Sequence, residues 1–117
     1  MDSPHHLITG SRVEGQPVFS ASGEKLGKIA DLMIDKATGN TVYALMAHDG
    51  FLGIGEEYYP LPWSKLDYDP AKHGFRVPLS REQVQAGHHV ADKEVEDEIE
   101  WRERVHTYYG ATPYWGM

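Results

Sequence analysis

The 117-residue sequence has no cysteine. That absence excludes a disulfide framework, thiolate metal or iron–sulfur sites, and any cysteine nucleophile. It fits a reducing compartment, although exported proteins can lack cysteine too. Positive charge is also scarce, with 11 Lys and Arg against 18 Asp and Glu and a formal net charge of −7. Such a chain is repelled by phosphate backbones and anionic lipid unless it carries a local basic patch. The densest basic stretch, Lys93 to Arg104, sits among more numerous acids, so no nucleic-acid partner is expected. No apolar run approaches the roughly 20 residues of a membrane span. The polar first residues, including His5 and His6, do not read as a signal peptide. The expected location is the cytoplasm, without membrane insertion.

What is present is ordinary for a folded domain: 40% hydrophobic and 25% charged residues. The length suffices for one domain with a core and is too short for two. Residues 1–10 read as a flexible N-terminal arm, 11–79 as a strand-rich body, and 80–117 as a helical extension with an aromatic tail. In the body, apolar runs alternate with turn chemistry, the pattern of a small barrel or sandwich. Six strands are expected: Val13–Phe19, Leu26–Ile34, Thr41–Ala47, Tyr58–Trp63, Leu66–Tyr68 and Gly74–Val77. Gly23 and Gly39 supply the positive φ of the first two turns. Pro60 and Pro62 remove N–H donors from one side of their strand, so that side lies at a seam, bulge or open edge. Ser80-Arg81-Glu82-Gln83 matches a capping box and predicts a short helix to Gly87. A longer helix is expected from Asp92, its N-cap, to Tyr109, with Gly110 just beyond. Its apolar residues Val95, Ile99, Trp101, Val105, Tyr108 and Tyr109 spread over a broad arc suited to packing on a globular body.

No catalytic, cofactor-binding or metal-binding set emerges. The seven histidines include two adjacent pairs, His5/His6 and His88/His89, and neighbours in sequence diverge on helix or strand. No H-x-x-x-H spacing with a nearby carboxylate occurs, and no serine sits in a glycine-flanked elbow. The loop Gly50-Phe51-Leu52-Gly53-Ile54-Gly55 lacks the Lys and Ser/Thr of a phosphate loop and runs into Glu56 and Glu57. Its interest lies in Phe51, Leu52 and Ile54, which either plug the body or form a binding patch. The terminal run from Tyr108 to Met117 is unusually aromatic, and Tyr and Trp are common interface anchors. It docks on its own domain or on another chain. Alternation places Asp31 and Asp35 on the same strand face as Ile29 and Met33, where a carboxylate can handle protons.

Together Val18, Gly23, Leu26-Gly27-Lys28-Ile29, Asp31, Asp35, Gly39, Val42-Tyr43, Phe51-Leu52-Gly53-Ile54-Gly55-Glu56 and Leu61-Pro62-Trp63 resemble the PRC-barrel family. The G-F-L-G-I-G-E loop followed by P-W is the most specific part of the likeness. The resemblance implies a mainly β fold: a small, mostly antiparallel PRC-type β-barrel, here with a C-terminal helical extension. The family includes the cytoplasmic domain of the H subunit of photosynthetic reaction centres and the C-terminal domain of a ribosome-maturation factor. This sequence lacks the anchor of the first and the preceding barrel of the second, and reads as a stand-alone member. The resemblance implies a non-enzymatic binding or assembly module and carries over no catalytic residue.

The expected function is therefore an adaptor that docks on a larger protein complex and forms a homodimer. Its expected partner-binding residues are Phe51, Leu52, Ile54, Trp101, Tyr108, Tyr114 and Trp115. Dimerisation is expected from the strand edge opposite Pro60 and Pro62 together with the aromatic tail. The alternative is an accessory protein of electron transfer, in peripheral contact with a membrane complex. It would use Asp31, Asp35 and Glu56 to relay protons or bind a small molecule.

Overall fold

The computed structural model describes residues 6–48 and 57–115. Among these residues seven strands form one sheet: β1 (Pro17–Phe19), β2 (Lys25–Ile34), β3 (Thr41–His48), β4 (Glu57–Pro62), β5 (Asp67–Asp69), β6 (Gly74–Arg76) and β7 (Val90–Ala91). Their spatial order is β5-β6-β1-β2-β3-β4-β7. All neighbours run antiparallel except β1 and β6, which are parallel. The small, mostly antiparallel β fold agrees with expectation. Among the described residues, however, no ladder joins β5 to β7, so the sheet is not closed into a barrel. Among the described residues three α-helices accompany it: α1 (Gly10–Val13), α2 (Arg81–Gln85) and α3 (Glu98–Tyr109).

The local chemistry explains most of these elements. Gly23 and Gly39 adopt φ of +92° and +81° in their turns, the left-handed region that favours glycine. Ser80 accepts from the Gln83 N–H while the Gln83 side chain accepts from the Ser80 N–H, a complete capping box on α2. Arg81 then ties that helix to the sheet, donating to Glu24 Oε2 at 3.0 Å and to the Lys25 carbonyl at 2.8 Å. Pro60 and Pro62 have no N–H to give, so the β4 rungs toward β3 must be donated by the alternate residues Tyr59 and Leu61. On its other side β4 pairs with β7 only through Glu57 and Tyr58, before the prolines begin. The edge opposite the prolines, expected to serve a second copy, is occupied by β3.

Four further expectations are corrected. Val13 belongs to a helical turn rather than to the first strand, because Gly15, at φ +88°, redirects the chain before Pro17. The extension contributes a strand, β7, besides its helices, which makes seven strands rather than six. The expected helix from Asp92 to Tyr109 is divided into a 3-10 segment, Asp92–Asp97, followed by α3. The Trp101 indole donates to the Glu94 carbonyl at 3.1 Å, taking the acceptor that a continuous α-helix would offer to Glu98. Asp92 therefore does not cap α3; Asp97 precedes it. Finally, Ala30 is bulged out of the β2–β3 register: Ile29 faces Met46 and the next paired residue, Asp31, faces Leu45. The bulge breaks the alternation, leaving Ile29 buried and Asp31 exposed.

Both faces of the central strand β3 are covered, since Tyr43, Ala44, Leu45 and Met46 are buried in succession. Val18, Leu26, Ile29, Tyr43, Met46 and Leu61 from the central strands form one cluster with Trp101 and Val105 of α3, and Trp101 meets it at the Tyr43 ring. The closest backbone approach in the central strands is at Gly27, where an added Cβ would lie 2.1 Å from the Ala47 carbonyl oxygen. That oxygen belongs to β3 and cannot move without opening the β2–β3 ladder. Gly27→Ala is expected to destabilise the fold by at least about 1–3 kcal/mol, measured by urea denaturation.

Candidate functional site

Tyr43 projects from β3 into the core and meets α3 there. Its ring centroid lies 5.4 Å from that of Trp101 and 5.5 Å from that of His106. Its hydroxyl donates to Glu98 Oε2 at 2.6 Å and also lies 2.8 Å from His106 Nε2. Burial, and then the bond to the Glu98 carboxylate, push this phenol far above its ordinary range, so it keeps its proton. The second carboxylate oxygen of Glu98 receives the Tyr114 hydroxyl at 2.5 Å. Glu98 thus holds one tyrosine from the sheet and one from the tail.

The tail reaches this position because Gly110 ends α3 at φ +66°, and the Ala111 N–H returns to the His106 carbonyl at 2.9 Å. His106 is 5% exposed. Its Nδ1 lies 3.3 Å from the Ala111 carbonyl, which can only accept, so Nδ1 is the donor. Trp115 meets the His106 ring edge-on at 4.7 Å, and the Arg102 guanidinium lies 4.3 Å from the Trp115 ring centroid. Arg102 also donates to the Tyr114 hydroxyl at 3.5 Å. Glu98, Arg102 and His106 recur every fourth residue, one polar stripe along α3 that grips the tail. That spacing was the available sequence signal for the site, and Tyr43 gave none beyond its place in a strand.

Of the expected partner-binding residues, Tyr114 and Trp115 come together on α3 in cis. Tyr114 is partly exposed and Trp115 is half-buried. Trp101 lies in the core at 4% exposure, beneath the surface rather than on it. Tyr108 points the other way, donating to the Gln83 carbonyl at 2.6 Å and bracing α2. Phe51, Leu52, Ile54 and Glu56 lie outside the described residues. The sequence placed Ile99 on the packing arc, but it is 72% exposed. It lies one turn from Arg102, on the flank of the helix that carries the tail.

Asp31 and Asp35, the described acids of the alternative reading, are each taken up by local hydrogen bonds. Asp31 accepts from the N–H of Leu32 at 2.8 Å, while Asp35 lies beyond β2 and accepts from the Ala37 N–H and the Thr38 hydroxyl in the following turn. Two shallow clefts flank α3. One, of about 430 Å³, is lined by His106, Gly110, Pro113 and Trp115 among others. The other, of about 800 Å³, includes His88, His89, Arg104 and Tyr108. Burial, then Arg104 and His89, hold His88 below the ordinary histidine range.

Two substitutions separate core from display. Trp101→Ala is expected to cost about 3–5 kcal/mol of stability. Ile99→Ser should change stability by less than about 0.5 kcal/mol. Urea denaturation of the two variants beside the wild type measures both.

Among the described residues, no helix is long and apolar enough to cross a membrane. No curated protein matches the chain. The family model for the PRC-barrel domain matches residues 5–84, ending before β7 and α3. The match covers the β1–β6 body and α2, while the gripped aromatic tail lies beyond it. On this match over more than half its length, the chain belongs to the PRC-barrel family.

Proposed function

We propose that this protein is a non-enzymatic docking module, a PRC-type β domain that presents the C-terminal helix and its tail to a protein partner in the cytoplasm. The observation that carries the reading is Ile99, a large aliphatic side chain 72% exposed on α3. Beside it, Tyr114 and Trp115 are held in place by Glu98, His106 and Arg102. Aromatic anchors fixed before binding lose little conformational freedom on association. Glu96, Glu100 and Glu103 are exposed along the same helical segment, so the reading favours a partner that sets basic groups around an apolar contact.

Self-association would use this face as well. The sheet edges are poor templates: β5 is three residues long with two aspartates, and β7 is two residues long beside the proline-blocked flank of β4. A homodimer built on the helical face therefore fits better than one built by strand addition.

The test is capture of tagged protein from its native host after mild cross-linking, with wild type, Ile99→Ser and Phe51→Ser/Ile54→Ser run in parallel. The expected result is one dominant protein retained by the wild type and lost by the folded Ile99→Ser variant. Self-capture that is lost with Ile99→Ser would make the partner a second copy. Capture unaffected by Ile99→Ser but lost with the loop variant would move the docking site to residues 51–54. No effect of either variant would overturn the docking role.

A further inference from the structure

The hydrogen bonds around Tyr43 require more hydrogens than their donors ordinarily supply. Three contacts need one hydrogen each: Tyr43 hydroxyl to Glu98 Oε2, Tyr43 hydroxyl to His106 Nε2, and His106 Nδ1 to the Ala111 carbonyl. The tyrosine has one hydroxyl hydrogen and a neutral imidazole has one N–H. The Tyr114 hydroxyl brings its own hydrogen to Glu98 Oε1 and adds none to the count. With an ionised carboxylate and a neutral imidazole, the network is one hydrogen short.

We propose that docking of the C-terminal segment against β3 traps one additional proton in the Tyr43–Glu98–His106 network, making the hold on the tail a pH-sensitive latch. The network's central hydroxyl and imidazole are buried, and an unmade hydrogen bond there is costly. Tyr43 does not supply a way out, because burial and Glu98 keep its hydroxyl protonated. The charged and titratable groups facing the network are Glu98 and Arg102 on α3, Tyr43 on β3, and Tyr114 on the tail, with Glu103 lining the cleft beside His106. Loss of the proton removes one of the contacts linking β3, α3 and Ala111, and so loosens the segment that carries Tyr114 and Trp115. The inference rests on the hydrogen count alone and does not depend on the docking role.

The sign follows from linkage. As pH rises past about 6.5 an unfolded histidine becomes neutral, and an unfolded glutamate is already ionised. Over that range the native state binds up to one proton more than the unfolded state, so stability falls as pH rises. The folding constant should drop by up to tenfold per pH unit until the native network releases its proton. His88, held below its ordinary range, acts with the opposite sign and only at more acid pH, where the unfolded ring takes up a proton.

Glu98→Gln supplies the decisive comparison. A Gln amide N–H can donate to the Tyr43 oxygen, which frees the Tyr43 hydroxyl hydrogen for His106 Nε2. All three contacts are then made with a neutral imidazole and no extra proton. Urea denaturation from about pH 6.5 to 8.5 should show the falling stability in the wild type. The same measurement on Glu98→Gln should lack that component. Parallel slopes in the two proteins would overturn the proposal. A second readout needs no variant: nitrogen and carboxyl-carbon NMR of native protein at about pH 7. The proposal expects either both His106 ring nitrogens protonated or Glu98 in its neutral acid form. A neutral imidazole together with an ionised Glu98 overturns it.

Discussion

The Tyr43 hydroxyl joins two parts of the chain that the backbone ladders leave separate. β3 lies in the middle of the meander and α3 begins 55 residues after Tyr43. The hydroxyl meets Glu98 at the start of α3 and His106 near its end, so a single group sets both the position of the helix along the strand and its rotation about its own axis. Trp101 fills the space between these contacts with its indole against the Tyr43 ring. The tail follows from the same arrangement, since Glu98 also accepts from Tyr114 and His106 also donates to the Ala111 carbonyl. A polar centre inside an otherwise apolar core thus specifies one packing of helix on sheet where hydrophobic contact alone permits several.

Much of the body was legible in the sequence because its determinants are local. Gly23, Gly39 and the Ser80–Gln83 box act within four residues, and the strands between them carry their own β-forming side chains. The failures have a common origin in contacts made across the fold. The bulge at Ala30 depends on the register with β3, and it turned Asp31 outward against the alternation. The indole of Trp101 broke the expected helix by claiming the carbonyl of Glu94. The division of the extension into helix and strand depended on β4 offering Glu57 and Tyr58 as partners.

The candidate site was half visible for the same reason. Aromatic residues at the tail marked it, but whether each is anchor or core depended on the rotation of α3. Trp101 and Ile99 are two residues apart, which on a helix places them about 200° from each other. Composition ranks the tryptophan as the natural interface residue, yet the fold buries it and displays the isoleucine. The stripe Glu98, Arg102, His106 looks on sequence like a solvated face stabilised by an i,i+4 ion pair. In the fold, Glu98 accepts from two tyrosines and Arg102 lies over Trp115.

The parallel pairing of β1 with β6 has a consequence for how the protein is made. β2, β3 and β4 follow β1 in sequence and can zip up as they emerge from synthesis, each beside its predecessor. The other edge of β1 must wait for Phe75 and Arg76, and Tyr43 must wait for Glu98 and His106. During translation the nascent meander therefore carries an open strand edge and an uncovered apolar face at once. Completion of the fold waits for the segments that bring Phe75, Glu98 and His106, and until they arrive the edge and the apolar face stay open to misassociation together.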